Sequence, residues 1–174
     1  MLRRFISFIL TLFGATAAHA ELMEGKCTYV QDGDSLKLIP QGSTEEIRVR
    51  LYGIDAPEKG QEFSGQSRAL LNKLVRNKQL RLEIRDKDSY GRYIAAVYVG
   101  DTYVNREMIR AGLAWFYEHH ADLNRDADLV RALAAAKKSH LGIWSSPSPI
   151  SPRQYRETHG NFHKQGRKPL IIEK

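Results

Sequence analysis

Between residues 48 and 58 the chain reads Arg48-Val49-Arg50-Leu51-Tyr52-Gly53-Ile54-Asp55-Ala56-Pro57-Glu58, and this stretch constrains the fold more than any other. Charged and apolar residues alternate through its first half, the period of a strand with one face in a core. Arg48 and Arg50 therefore share one face, and Val49 and Leu51 the other. Gly53 then loosens the backbone. Pro57 fixes its own φ and biases Ala56 towards an extended shape, so Asp55 and Glu58 leave the strand on a stiff segment.

The flanking pattern is that of more short strands. Lys26 to Val30 are strand formers, and Asp32-Gly33 between two such runs is a hairpin signal. Leu36-Lys37-Leu38-Ile39 is the return strand, and Pro40-Gln41-Gly42-Ser43 turns the chain into a central strand of about Glu46 to Ile54. A helix is predicted from near Ser64, where Ser67, Leu70, Leu71, Leu74 and Val75 repeat at helical spacing. Leu80 to Ile84 and Ile94 to Val99 are the fourth and fifth strands. Val104 to Arg110 is a short helix closed by Gly112, Leu113 to Tyr117 is extended, and Asp122 to Ser139 is the longest helix. Ile143-Trp144 is expected to pack on the core. The order suggests an α+β chain, and a small five-stranded barrel of the OB type fits it.

Residues 1–20 stand apart. Met1-Leu2-Arg3-Arg4 is a positive start, Phe5 to Phe13 is apolar, and Ala18-His19-Ala20 is a small-residue cleavage signal, together a secretory signal peptide. Cleavage after Ala20 removes two arginines and no acids, so a formal charge of +7 becomes +5, a balance that suits a polyanionic partner. The expected division is a signal peptide at 1–20, one folded domain at 21–145 and a Pro/Ser-rich, then basic, flexible tail at 146–174. The expected location is the periplasm or the medium, with no stable membrane association after cleavage, as a monomer. Cys27 is the one cysteine, so no intramolecular disulfide is available, and in an apolar strand it reads as a small buried hydrophobe.

Three segments carry the chemistry. The hairpin turn offers Asp32 and Asp34, the central strand offers Arg50, Asp55 and Glu58, and the turn Asp86 to Tyr93 offers Arg92. Guanidinium groups suit phosphate oxygens and carboxylates suit a hard cation, which makes a metal-assisted phosphodiester site the leading hypothesis, against a surface strand with ordinary ion pairs. The Asp32 turn fails as an EF-hand, since Leu36 and Ser43 fall where that loop needs an oxygen ligand and a glutamate. His119-His120 with Asp122 lacks a further ligand at zinc spacing. Arg48, Lys137-Lys138 and the tail histidines are read as solvated or ion-paired, and Tyr93 and Tyr98 as barrel residues.

Asp32-Gly33-Asp34-Ser35, then Arg50 to Glu58, then Tyr90-Gly91-Arg92 resembles the staphylococcal nuclease family in order and spacing. Val104-Asn105, Gly112-Leu113-Ala114 and Ile143-Trp144 extend the likeness over roughly Gly25 to Trp144. The resemblance implies a five-stranded OB barrel with three helices and a Ca²⁺-dependent endonuclease that hydrolyses DNA and RNA to 3′-phosphate ends. It implies Asp34, Asp55 and the Ala56 carbonyl as calcium ligands, Glu58 as the holder of the attacking water, and Arg50 and Arg92 as phosphate grips. Asp32 is then a nearby acid, with Tyr90 beside the nucleotide and Tyr117, from Trp115-Phe116-Tyr117, as a base platform. Ser35 and Ala56 each replace a threonine of the family pattern, keeping a hydroxyl and a backbone oxygen respectively. Ser89 stands where a lysine occurs near the nucleotide's phosphate, which bears on tight nucleotide inhibition rather than on catalysis. A catalytically silent OB module that only binds nucleic acid is the competing reading.

Overall fold

The computed structural model describes residues 21–117 and 126–165, with side chains through residue 159. Its body is a closed five-stranded barrel. The strands are β1 (Glu21–Val30), β2 (Ser35–Pro40), β3 (Ile47–Leu51), β5 (Gln79–Lys87) and β6 (Tyr93–Val99). β2 pairs antiparallel with β1 and β3, β1 with β5, and β5 with β6. A parallel pairing of β3 with β6, Arg50 opposite Ile94, closes the ring. Closure removes free sheet edges, which five short strands could not otherwise protect.

Alternation decides what points inwards. Leu36 and Leu38 of β2, Val49 and Leu51 of β3, Leu80 and Leu82 of β5, and Ala95 and Val97 of β6 are all buried. α1 (Ser64–Val75) covers one opening with Leu71 and Val75, and α2 (Val104–Arg110) adds Val104, Met108 and Ile109 to the same core. α3 (Ala127–Lys138) follows, contributing Leu129 and Ala132. Ala136, Ile143 and Trp144 form a small satellite core on which Trp115 packs, the two indole centroids 4.6 Å apart.

β3 stops at Leu51 instead of continuing to Ile54. Gly53 takes φ of +72°, which an L side chain adopts only with strain, and the chain turns out of the barrel there. Two residues, β4 (Ile54–Asp55), then pair with β8 (Trp115–Phe116), while β7 (Thr102–Tyr103) extends β6 by a hairpin. Asn105, wholly buried at the start of α2, braces this break. Its amide donates to the carbonyls of Tyr52 (2.8 Å) and Ala95 (3.2 Å), and its oxygen accepts from the Val97 N–H (3.0 Å).

Among the described residues four α-helices accompany the barrel, one more than the family resemblance implies, besides the 3₁₀ helix Gly142–Ser145. The stretch 146–151 is non-helical, as its prolines require, but Pro152–Gln165 then forms α4 where a flexible arm was expected. The helix start has a physical cause. Ser151 and Gln154 make a reciprocal capping box, Gln154 N–H donating to Ser151 Oγ (3.2 Å) and Ser151 N–H to Gln154 Oε1 (3.0 Å), with Pro152 at the first helical position. The signal segment 1–20, the His119-His120-Asp122 cluster and the start of the long helix lie outside the described residues.

Candidate active site

The site begins at the β1–β2 hairpin. Asp32 Oδ1 accepts the Asp34 N–H (3.1 Å), tightening the turn, and the Asp34 carbonyl accepts from the Leu51 N–H (2.8 Å), tying the turn to the end of β3. Gly33 is required by a close approach. A Cβ there would meet Ser67 Oγ of α1 at 1.9 Å and Ala56 Cβ at 2.7 Å. The bare backbone thus lets the turn lie directly on the helix and on the segment that carries Asp55.

Asp34 is buried by this packing. Its Oδ1 accepts from the Ser35 hydroxyl (2.8 Å) and from Arg50 (3.0 Å), and its Oδ2 accepts from the Ala56 N–H (2.8 Å). Burial pushes its carboxyl up to about 7; Arg50 opposes this, and Asp32 adds to it. Arg50 bridges two acids, giving its second terminal nitrogen to Asp55 Oδ1 at 2.8 Å. Burial works against the Arg50 charge, but Asp34 and Asp55 outweigh it and raise the guanidinium's pKa. Asp34 and Asp55, sixteen residues before Arg50 and five after it, thus converge on one guanidinium.

Arg92 approaches from the β5–β6 turn. Its Nε donates to Asp88 Oδ2 (2.7 Å), while its backbone N–H and that of Tyr90 both donate to Asp88 Oδ1 (2.9 Å each). Burial acts in the other direction, but these donors hold the Asp88 carboxyl below its ordinary range. Asp88 therefore fixes both the turn and the guanidinium. A cavity of about 840 Å³ lies beside this turn, lined by Arg50, Glu58, Tyr90, Arg92 and Tyr117, with Arg85 and Arg156 also on its wall. Of the aromatic trio, Phe116 is buried and Trp115 faces Trp144, so Tyr117 alone reaches the cavity. Arg48 lies outside it, donating to the Tyr90 carbonyl.

One residue of the site was missed by sequence reasoning. Arg156 of α4 donates to Asp55 Oδ2 at 3.0 Å and Oδ1 at 3.3 Å, and to Glu58 Oε1. Its signal was the Ser151-Pro152-Arg153-Gln154 cap, which announces a helix and so places Arg156 on an ordered element. Asp88 was legible only as part of a charged turn.

Among the described residues, no three Asp, Glu, His or Cys side chains form a ready cation cage. What the chain offers is an open set of hard oxygens, Asp34 and Asp55, beside the Ala56 backbone, with Glu58 on the cavity side. That donor chemistry fits a calcium-like cation better than a soft metal. The guanidinium groups of Arg50 and Arg156 already sit against oxygens of Asp34, Asp55 and Glu58, so a cation there shares these acceptors with them.

A closed OB-type barrel with Arg50, Arg85, Arg92 and Arg156 lining one cavity, and acids converging behind Arg50, places an anion-facing site on a fold class that carries nucleic acids. The family model described as staphylococcal nuclease homologue matches residues 48–146. An uncharacterized endonuclease of Haemophilus influenzae is 35% identical over 150 residues, covering 86% of this chain and 82% of its own length. One from Escherichia coli is 33% identical over 156 residues, covering 89% of this chain and 98% of its own. The micrococcal nuclease of Shigella flexneri is 31% identical over 146 residues, covering 79% and 82% respectively. The chain belongs to the staphylococcal nuclease family.

Proposed function

We propose that this protein is an exported, Ca²⁺-dependent endonuclease that hydrolyses phosphodiester bonds of DNA and RNA and leaves 3′-phosphate ends. One observation supports it above the rest: Arg50 of β3 and Arg92 of the β5–β6 turn border the same cavity as Glu58, while Asp34 and Asp55 converge behind Arg50.

Asp34, Asp55 and the Ala56 carbonyl are the residues that would hold the cation. When bound, it supplies Lewis-acid polarisation of a phosphoryl oxygen. The chain's own groups do the rest. Arg50 and Arg92 present planar forks to a phosphodiester, orienting it and offsetting the charge that grows on its oxygens in the transition state. Asp88 keeps the Arg92 fork pointed, and Asp34 and Asp55 keep that of Arg50 pointed. Glu58, which lines the same cavity, accepts a hydrogen bond from the attacking water and orients it in line with the leaving oxygen. Tyr90 and Tyr117 offer faces to the flanking nucleotide. Export rests on residues 1–20, and among the described residues no helix is long and apolar enough to cross a membrane.

The test is digestion of plasmid DNA and of a structured RNA with calcium or with EGTA, by wild type and Glu58→Ala. Calcium-dependent digestion of both, abolished in the variant, supports the reading. Binding of nucleic acid without digestion would replace it with the silent OB module.

A further inference from the structure

The position between Asp55 and Glu58 is filled by the chain itself. Arg156 donates three hydrogen bonds there, two to Asp55 and one to Glu58, across about a hundred residues of sequence. The contact is not a casual surface pair, because Asp55 is almost wholly buried and α4 is anchored beside it. Gln61, itself buried, accepts the Glu58 N–H on its Oε1 (2.9 Å) and donates from Nε2 to the Ile150 carbonyl (2.7 Å). One side chain thus links the Glu58 loop to Ile150, two residues before α4. Tyr155 rests against Gly60, where a Cβ would meet its hydroxyl at 3.3 Å, and stacks on His159 at 4.0 Å between ring centroids.

We propose that Arg156 is an internal competitor for the divalent cation: α4 seats a guanidinium on Asp55 and Glu58, and cation loading requires that fork to leave. The inference rests on the reading of Asp55 and Glu58 given above and adds the element that sets how readily the site fills. Two physical arguments carry it. A guanidinium and a hard cation seek the same carboxylate oxygens, so both cannot hold Asp55 in full. With Arg156 in place, Asp55 and Glu58 face a second positive fork besides that of Arg50, which weakens the field that draws in a divalent ion. Glu58 is also engaged, so it cannot orient water until the fork departs. The site therefore stays closed where free cation is scarce and opens where it is abundant. The connection 146–151, non-helical and rich in serine and proline, gives α4 room to move without disturbing the barrel.

Calcium binding by isothermal titration, with no substrate present, tests this on the purified protein. Arg156→Gln should tighten calcium at least tenfold, since each charge-assisted bond of this kind is worth roughly that factor or more. Arg156→Lys keeps the charge but loses the fork and should fall between the two. Lys59→Gln, next to Glu58 in sequence, removes a nearby charge outside the contact and should stay within about twofold of wild type. Backbone hydrogen exchange across residues 152–159 should speed up when calcium is added to wild type. Calcium affinity that is unchanged or weaker in Arg156→Gln, or an equal gain in Lys59→Gln, overturns the competitor and leaves the nuclease reading intact. Failure of every variant to bind calcium removes both.

Discussion

Replacing Asp34 by asparagine should stabilise the cation-free protein, although it deletes an ion pair. Asp34 is 4% exposed, and burial raises its carboxyl from an ordinary value of 3.8 to about 7, despite Arg50 at 3.0 Å, the Ala56 N–H and the Ser35 hydroxyl. Arg50 gains from the pair while Asp34 loses, because desolvation of the carboxylate exceeds the attraction it receives. The sign follows from proton counting. Between pH 3.8 and about 7 the folded chain keeps a proton that the unfolded chain has released, so stability falls as pH rises through that window and is level above it. The gap corresponds to about 4 kcal/mol at most. Asparagine carries no charge at any pH and lacks this penalty. Urea unfolding followed by tryptophan fluorescence, in EGTA, should find Asp34→Asn more stable than wild type at pH 8 by about 2–4 kcal/mol, with most of the difference gone at pH 4.5. A variant less stable than wild type at pH 8 would refute the claim that burial outweighs the Arg50 pair.

Other expectations concern groups that hold the site rather than line it. Asn105→Ala strands buried partners on Val97, Tyr52 and Ala95 and should cost about 2–4 kcal/mol by urea unfolding. Gly33→Ala drives a methyl into Ser67 and Ala56, so the hairpin must shift; a loss of about 1–3 kcal/mol with a fall in activity is expected in the same assay and a cleavage assay. Asp88→Ala releases Arg92 and should lower kcat/KM on a DNA oligonucleotide by about 10–100-fold, with Asp88→Asn recovering part because it keeps an acceptor.

Alternation made much of the barrel legible. β2, β5, β6, α1 and α2 lie where period-two and helical spacing put them, because each has one wet and one buried face. β1 begins at Glu21 instead of Lys26, since its first residues are mostly exposed and gain their strand from pairing with β5 rather than from their own pattern. The central strand ends early because Gly53 needs a positive φ that spacing does not reveal. The acids and arginines of the cavity were readable as a motif, and the structure gathers Asp34 and Asp55 on Arg50 and places Arg92 on the wall of the same cavity. Asp88 and Asn105 act through partners that only the closed barrel brings near. α4 was hidden by composition, since Ser145 to Pro152 and the basic residues after them suggest a tail, while the Ser151 cap that overrides that impression is only four residues long.

Central to the proposed chemistry are two guanidinium groups, Arg50 and Arg92, acting on one phosphodiester in the cavity that both line. Single-turnover cleavage of a labelled DNA oligonucleotide under saturating calcium measures this directly in wild type and Arg92→Ala. The variant should lose about 2.7–4 kcal/mol of transition-state stabilisation, a fall of roughly a hundred- to a thousandfold in rate, with its unfolding midpoint unchanged. Cleavage at the wild-type rate would mean that Arg92 faces the cavity without taking part in the chemistry.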